Sequence, residues 1–410
     1  MVDFFDKPLQ KWVQLIGLMI AGDSIYMLPY MRKTFQTSLE QVYQISSTEI
    51  GILNSMFGVL AIVCYFPSGK LADNFSVKNL LIISLVSTGA GGLCMLFVNS
   101  FILLLVIHAF WGISSILTFW SALIKATRNW ASIDEQGKGF GFLDAGRGAV
   151  AAIIATTATY TFSLADKTED ALYNAILIYS LAPILGAVMI FFSMKNPASE
   201  SGGFKQKTKD NQSIKKILTS KKIWALAAVI FCAYTLYLGS FDLPAYAEKK
   251  FDISKSNAAV IGTLRDWIRP VMALLAGLLA DKYTGAKTIF GSFLILLLSF
   301  GSLGIFTGGS ASILFWFQLV GIASAVFALR GVYFALLEEL NLPISDTGKI
   351  VGFVSFIGYV PDIFVPLISG VFVDSGNGNQ GYTNFFLLLA ITAVVGLLVT
   401  YYLIKHQRDK

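Results

Sequence analysis

Charge is scarce in this chain. Only 14% of its 410 residues are Asp, Glu, Lys or Arg, whereas 55% are hydrophobic and the mean hydropathy is +0.67. Because soluble domains carry about 25% charged residues, this composition excludes an ordinary soluble protein. Histidine, with 2 residues, and cysteine, with 3, are also rare. The cysteines lie in apolar segments, so the pattern predicts neither a metal cluster nor a disulfide framework.

Charged residues are absent from two long stretches, Asn79 to Ile124 and Thr288 to Leu329. Each stretch can hold two helices of about 20 residues, the length that crosses a bilayer, whereas a β-barrel would show short alternating segments. The sequence therefore predicts an all-α polytopic membrane protein with twelve transmembrane helices. The predicted spans are residues 12–31, 49–69, 79–98, 101–124, 139–163, 172–194, 223–247, 256–280, 288–307, 310–337, 350–373 and 382–404.

Basic residues concentrate in the loops on one side of the predicted membrane. By the positive-inside rule, this side is the cytoplasm, and both termini lie there. Segment 195–222 is polar and rich in Lys, Ser and Gly, which predicts a flexible cytoplasmic linker. The predicted organisation is an N-terminal six-helix bundle (1–194), this linker, and a C-terminal six-helix bundle (223–410).

Two short motifs occur once in each predicted half. G-x-L-A-D begins at Gly69 and Gly277, and G-K-x-x-G-F begins at Gly137 and Gly348. The copies are about 210 residues apart, which indicates an internal duplication. With twelve spans and a basic central linker, the chain resembles the major facilitator superfamily. The stretches GDSIYMLP, EQGKGFGFLDAGRG and SFIGYVPDIF are similar to its bacterial branch labelled as nitrate/nitrite or organic-anion transporters.

The resemblance implies alternating access and a gating role for the loop after span two and its copy after span eight. Asp73 and Asp281 would each cap a neighbouring helix N-terminus, where the helix dipole favours an anion. Lys78 and Lys287 would pair nearby. Family members usually carry Arg directly after this Asp, whereas this chain has Asn74, so the first latch is expected to be weaker. Span two also lacks the arginine that nitrate carriers use there, which disfavours nitrate.

Several charged residues fall deep inside predicted spans. At about 1.5 Å per residue, Arg147 lies about 13 Å beyond Lys138, and the others reach a similar depth. An isolated charge there costs at least ~2.5 kcal/mol. These side chains are therefore expected to be paired or to line a water-filled chamber between the two bundles. They are Asp23, Arg147, Arg269 and Arg330, from spans one, five, eight and ten.

Arginine suits a planar anion, because its guanidinium fork binds carboxylate, phosphate or sulfonate groups bidentately. Arg265 and Arg269 are one turn apart on one helix face, and Asp144 shares a face with Arg147 and can neutralise it. Structural salt bridges are the alternative for each arginine, and an outer gate is a further one for Arg265. The predicted substrate-binding residues are Arg147, Arg265, Arg269 and Arg330, with Tyr26 and Tyr237 as hydroxyl donors.

The energy source of transport is predicted from the absence of a nucleotide-binding motif and from acidic residues at membrane depth. No P-loop occurs, so ATP is not expected to drive transport directly. Proton coupling needs a desolvated carboxylate, and Asp23 is the first candidate, followed by Asp144 and Glu338. A static pair of Asp23 with an arginine has the same sequence signature, and sodium coupling and uniport stay open.

These features predict a proton-coupled secondary transporter of a small organic anion in the bacterial cytoplasmic membrane. It is expected to act as a monomer in contact with lipid, without a cofactor or nucleic acid. The mixed charges leave open a zwitterion, amino-acid or peptide carrier, and a substrate-binding membrane sensor is the alternative outside transport. An enzyme is not expected, because no Ser/His pair or H-E-x-x-H motif occurs.

Overall fold

The computed structural model describes residues 8–131, 136–194, 218–305, 312–340, 347–376 and 379–408, and the regular elements within them are helices. The helices up to residue 194 are α1 (Leu9–Met27), α2 (Arg32–Tyr43), α3 (Ser47–Asn74), α4 (Val77–Met95), α5 (Phe101–Ile116), α6 (Trp120–Trp130), α7 (Gln136–Ser163) and α8 (Thr168–Ser193). The later helices are α9 (Lys221–Gly239), α10 (Leu243–Phe251), α11 (Lys255–Tyr283), α12 (Gly285–Ile305), α13 (Ser312–Val332), α14 (Leu336–Glu339), α15 (Thr347–Gly358), α16 (Pro361–Ser375) and α17 (Gln380–Arg408).

Most of these helices are apolar enough to cross a membrane. Within the described residues, nine helical stretches meet this condition, or ten if the bent pair α1 and α2 forms one span. Helices α7 and α11 are 28 and 29 residues long but less apolar, since α11 carries Arg265, Asp266 and Arg269 near its middle. The predicted all-α membrane fold is confirmed, and the number of twelve spans stays a prediction.

The chain divides into two compact units. The first comprises Met1–Phe204 with Ser254–Trp267, and the second comprises Lys205–Ile253 with Ile268–Lys410. The division falls inside α11, whose first turns belong to the first unit. The bundle boundaries predicted at 194 and 223 stay a prediction, and the predicted linker lies outside the described residues from 195 to 217.

Several predicted spans are interrupted, and buried charged residues lie at three of the interruptions. Helices α1 and α2 meet at a bend of 40°. Helix α9 is followed by a 3₁₀ turn, Ser240–Asp242, before α10, which has Pro244 in its first turn. Helix α16 begins at Pro361 shortly after α15 ends. Proline cannot continue the hydrogen-bond ladder of the preceding helix. Such breaks are tolerated at membrane depth where protein groups satisfy the freed backbone.

Candidate functional site

Arg147, in α7, contacts two acidic side chains and the backbone of α1. Its Nε donates a hydrogen bond to the carbonyl oxygen of Gly22 at 3.0 Å. Its terminal nitrogens lie 3.4 Å from Asp23 Oδ1 and 3.6 Å from Asp144 Oδ1. A Cβ atom at Gly22 would come 2.7 Å from the Arg147 side chain, so glycine lets the arginine lie along α1. The structure thus brings together three of the residues predicted from their depth or spacing.

The two acids beside Arg147 differ in exposure. The Asp23 side chain is 10% exposed and the Asp144 side chain is 64% exposed. Solvent weakens the interaction of an exposed pair far more than that of a buried pair. The Trp120 ring centroid lies 5.8 Å from Arg147 Cζ, a distance typical of a cation–π contact. Asp23 is therefore the acid that chiefly neutralises Arg147.

Replacing Asp23 by Asn is expected to lower the free energy of unfolding by about 2 kcal/mol, because it removes the main charged partner of a buried guanidinium. Asp144→Asn, which removes the exposed partner of the same arginine, is the matched control and is expected to cost about 0–1 kcal/mol. Denaturant titration in detergent micelles measures both. Equal losses would contradict the ranking of the two acids.

Arg330, near the end of α13, lies against two tyrosine rings of α9. Its Cζ atom is 4.0 Å from the Tyr237 ring centroid and 5.7 Å from that of Tyr234. Tyr333 and Tyr359 lie in the same cluster, and their hydroxyl oxygens are 3.2 Å apart. Among the described residues, no carboxylate lies within ion-pair distance of Arg330. A stacked guanidinium keeps its N–H groups in its own plane, where they can donate to an anion.

Two hydrogen bonds join α9 and the 3₁₀ turn after it to α16, and neither was predicted from the sequence. The Tyr234 hydroxyl donates to Asp362 Oδ2 at 2.8 Å, and the Ser369 hydroxyl donates to Asp242 Oδ1 at 2.6 Å. Both acids are buried, Asp242 completely. A proline lies within two residues of each acid in the sequence, which marks the positions as unusual. The tyrosine and serine partners leave no such signal, because they are more than a hundred residues away.

Lys33, Arg265 and Asp266 form a buried charged cluster in the first unit. Lys33 Nζ lies 2.6 Å from Asp266 Oδ2, and the Arg265 guanidinium lies 3.9 Å from Asp266 Oδ1. The three side chains are at most 9% exposed. A Cβ atom at Gly262, one turn earlier in α11, would meet the Lys33 carbonyl oxygen at 3.0 Å. The start of α11 therefore packs closely on α2, and Arg265 lies beside an acid.

Three other predicted residues lie outside these clusters. Arg269 is partly buried and belongs to the second unit, whereas Arg265 belongs to the first. Tyr26 is partly buried, and its ring packs on those of Tyr30 and Phe119. Glu338 lies in α14, but its side chain is outside the described part of the chain. Their roles in binding or coupling stay predictions.

Comparison with known proteins settles the family. The family model described as Major Facilitator Superfamily matches residues 15–337, which is more than half of the chain. The chain belongs to the Major Facilitator Superfamily. The resemblance drawn from the repeated motifs is thereby confirmed.

Relatives of this superfamily protein match over nearly their whole lengths. The inner membrane protein YihN of Escherichia coli (strain K12) is 26% identical, over 98% of this chain and 97% of its own. The hexuronate transporter of Bacillus subtilis (strain 168) is 23% identical, over 86% of this chain and 85% of its own. The crystal structure of a bacterial homologue of the human lysosomal transporter Spinster, inward-facing and unoccupied, has a TM-score of 0.76 at 14% identity and covers 97% and 98% of the two chains. This last likeness concerns the fold alone.

Membership of this superfamily assigns the general activity of the protein. Major facilitators are multi-pass membrane transporters of small-molecule substrates, and they are not enzymes. The helices that are long and apolar enough to span a membrane agree with this assignment.

The first G-x-L-A-D motif, at the end of α3, forms an exposed ion pair with α6. Asp73, whose side chain is 76% exposed, lies 3.2 Å from Lys125. Lys78 Nζ donates to a backbone carbonyl oxygen of α8 at 2.6 Å. In the second copy of the loop, Asp281 and Lys287 are exposed. The gating roles of these residues stay predictions.

Glu339 caps the N-terminus of α12, a role that the sequence analysis did not assign to it. Its carboxylate accepts hydrogen bonds from the N–H groups of Gly285 and Ala286, the second at 3.1 Å. These are the first two residues of the helix, where N–H groups have no partner within the helix and the dipole favours a negative charge. The cap ties α14 to the helix that follows the second G-x-L-A-D motif.

Replacing Glu339 by Ala is expected to lower the free energy of unfolding by about 1 kcal/mol, as for other helix caps. Glu339→Gln keeps an acceptor oxygen and loses only the charge, so it is expected to cost about half as much. Thermal unfolding in detergent compares the two variants with the wild type. Wild-type stability of Glu339→Ala would show that the cap contributes nothing.

Proposed function

We propose that this protein is a secondary transporter of a small organic anion and that Arg330 is the main contact for the anion. The observation that carries the proposal is the stacking of Arg330 on Tyr237 with no carboxylate of the described residues beside it. An uncompensated charge at membrane depth is costly, and an anionic substrate would supply the missing partner. Arg147 contributes less positive charge, because Asp23 already balances it.

The substrate class that fits this site is a hydroxylated organic acid. Carboxylate, phosphate ester and sulfonate groups all present oxygen pairs that match the guanidinium fork. The tyrosine hydroxyls near Arg330 can donate to and accept from substrate hydroxyl groups. The name of the Bacillus subtilis relative, hexuronate transporter, supports a carboxylate on a polyhydroxylated skeleton.

We further propose that protons drive transport by alternating access. Asp23 is the coupling candidate of the first unit, since its protonation would release Arg147 from its buried partner. The proposed location is the bacterial inner membrane, which the name of YihN supports, with both termini in the cytoplasm. Residues 1–194 and 223–410 would form the two bundles of a monomer.

Two other functions make different predictions. A zwitterion or peptide carrier would use the opposite charges of Asp23 and Arg147 to hold both ends of its substrate, and that adjacent pair favours it. A membrane sensor would bind an anion without moving it. The substrate panel and the transport assay below separate these functions from anion transport.

The test has two steps on the purified full-length protein. Thermal shift with a panel of carboxylates, hexuronates, phosphate esters, sulfonates, amino acids and dipeptides identifies ligands. Counterflow in proteoliposomes then measures exchange of the hits. We expect an anion to stabilise the protein and to show counterflow. Binding without counterflow would indicate a sensor, and stabilisation by amino acids or dipeptides alone would indicate the zwitterion carrier.

A further inference from the structure

Tyr234 connects a buried acid to the proposed anion site. Its hydroxyl donates to Asp362 Oδ2 at 2.8 Å, and its ring centroid is 5.7 Å from Arg330 Cζ. Asp362 is 9% exposed and lies in the first turn of α16. A phenol has a single proton to donate. While Asp362 is ionised, that proton is directed at the acid and is withheld from an anion on Arg330.

We propose that Asp362 is a proton-binding site linked to anion binding at Arg330 through the Tyr234 hydroxyl. This inference rests on the anion transport proposed above. When a proton binds a carboxylate oxygen of Asp362, the new O–H donates to the Tyr234 oxygen, and the Tyr234 O–H rotates to donate to the anion. No covalent bond changes apart from the one that forms between the proton and Asp362. The protonated protein thus gains one donor for the anion, so proton and anion bind together.

The surroundings of Asp362 contain few groups that could replace it. Tyr234 is hydrogen-bonded to Asp362, and the ionisable side chains that the structure places around Tyr234 and Arg330 are Tyr237, Tyr333 and Tyr359. Helix α17 also packs against α16, and its residues 386–399 include no ionisable side chain. Asp362 is the only acid in this cluster of described residues. The Asp362 carboxylate is therefore the group in this cluster to which we assign the proton.

Asp242, in the 3₁₀ turn that contacts α16 further along, offers a matched control. It is also a buried acid hydrogen-bonded by a hydroxyl, at 2.6 Å, but the donor is Ser369. Ser369 lies seven residues after Asp362, about two helical turns away, and it is not among the residues around Arg330. Asp242→Asn therefore removes a similar charge without touching the proposed link.

The experiment uses full-length protein and the panel anion that gives the largest wild-type counterflow. In the wild type, the apparent Kd of the anion is expected to fall by up to about tenfold per unit decrease in pH, the limit for one linked proton. Asp362→Asn is expected to flatten this dependence by the share of one proton and to reduce uphill accumulation driven by a proton gradient, with Asp23 still in place and counterflow still measurable. Asp242→Asn is expected to keep the wild-type slope.

The outcomes separate this inference from the proposed function. A wild-type slope and wild-type accumulation in Asp362→Asn would overturn the proton site and leave anion transport intact. Absence of counterflow for every anion in the wild type would instead overturn the proposed function. If Asp362→Asn does not fold, Tyr234→Phe decides, because it removes the hydroxyl and keeps the ring against Arg330. A flattened slope in Tyr234→Phe supports the link, and an unchanged slope overturns it.

Discussion

Replacing Lys33 by Met is expected to lower the free energy of unfolding by about 3–5 kcal/mol, the usual cost of removing one partner of a buried ion pair. Lys33 Nζ lies 2.6 Å from Asp266 Oδ2, and the two side chains are 9% and 4% exposed. Without the ammonium group, Asp266 would keep a buried charge with only the more distant Arg265 nearby. Denaturant titration in detergent micelles measures the loss.

The exposed pair Lys125–Asp73 is the control for this prediction. Its side chains are 38% and 76% exposed, so Lys125→Met is expected to cost about 0–1 kcal/mol. If Lys33→Met and Lys125→Met had the same stability, the buried cluster would not be what holds α11 against α2.

Replacing Arg330 by Ala is expected to raise the Kd of the transported anion by about 10–100-fold, because hydrogen bonds to charged groups contribute about 1.5–3 kcal/mol. Counterflow at low substrate concentration should fall by a similar factor. Arg330→Lys keeps the charge and loses the planar fork and the ring stacking. Its Kd for the anion should therefore lie between those of Arg330→Ala and the wild type. Ligand titration by thermal shift or calorimetry measures both variants.

An exposed arginine provides the control for Arg330. Arg128, in the last turn of α6, is exposed, and Arg128→Ala is expected to leave the Kd unchanged. Near-native stability of Arg330→Ala without ligand is needed to separate lost binding from lost folding, since the contact with the Tyr237 ring is itself worth up to ~2 kcal/mol. Wild-type affinity in a folded Arg330→Ala protein would remove Arg330 from the site.

The class and family of the protein were predictable from local patterns. Long charge-free stretches and their lengths indicate membrane helices, because the cost of burying charge in lipid applies to each helix separately. Each copy of G-x-L-A-D is a short stretch of sequence that can be recognised without knowledge of the fold. The depth of Asp23 and Arg147 followed from counting residues along a helix. In the structure, a terminal nitrogen of Arg147 lies 3.4 Å from Asp23 Oδ1.

The partners of the buried polar groups were not predictable in this way. Tyr234 and Asp362 are separated by 128 positions, and Lys33 and Asp266 by 233. Whether two such residues meet depends on how each helix is rotated about its axis and on where it breaks, and packing against neighbouring helices sets both. The chain alone therefore indicates that buried charges must be compensated. Only helix packing selects Asp23 for Arg147, Asp266 for Lys33 and tyrosine rings for Arg330.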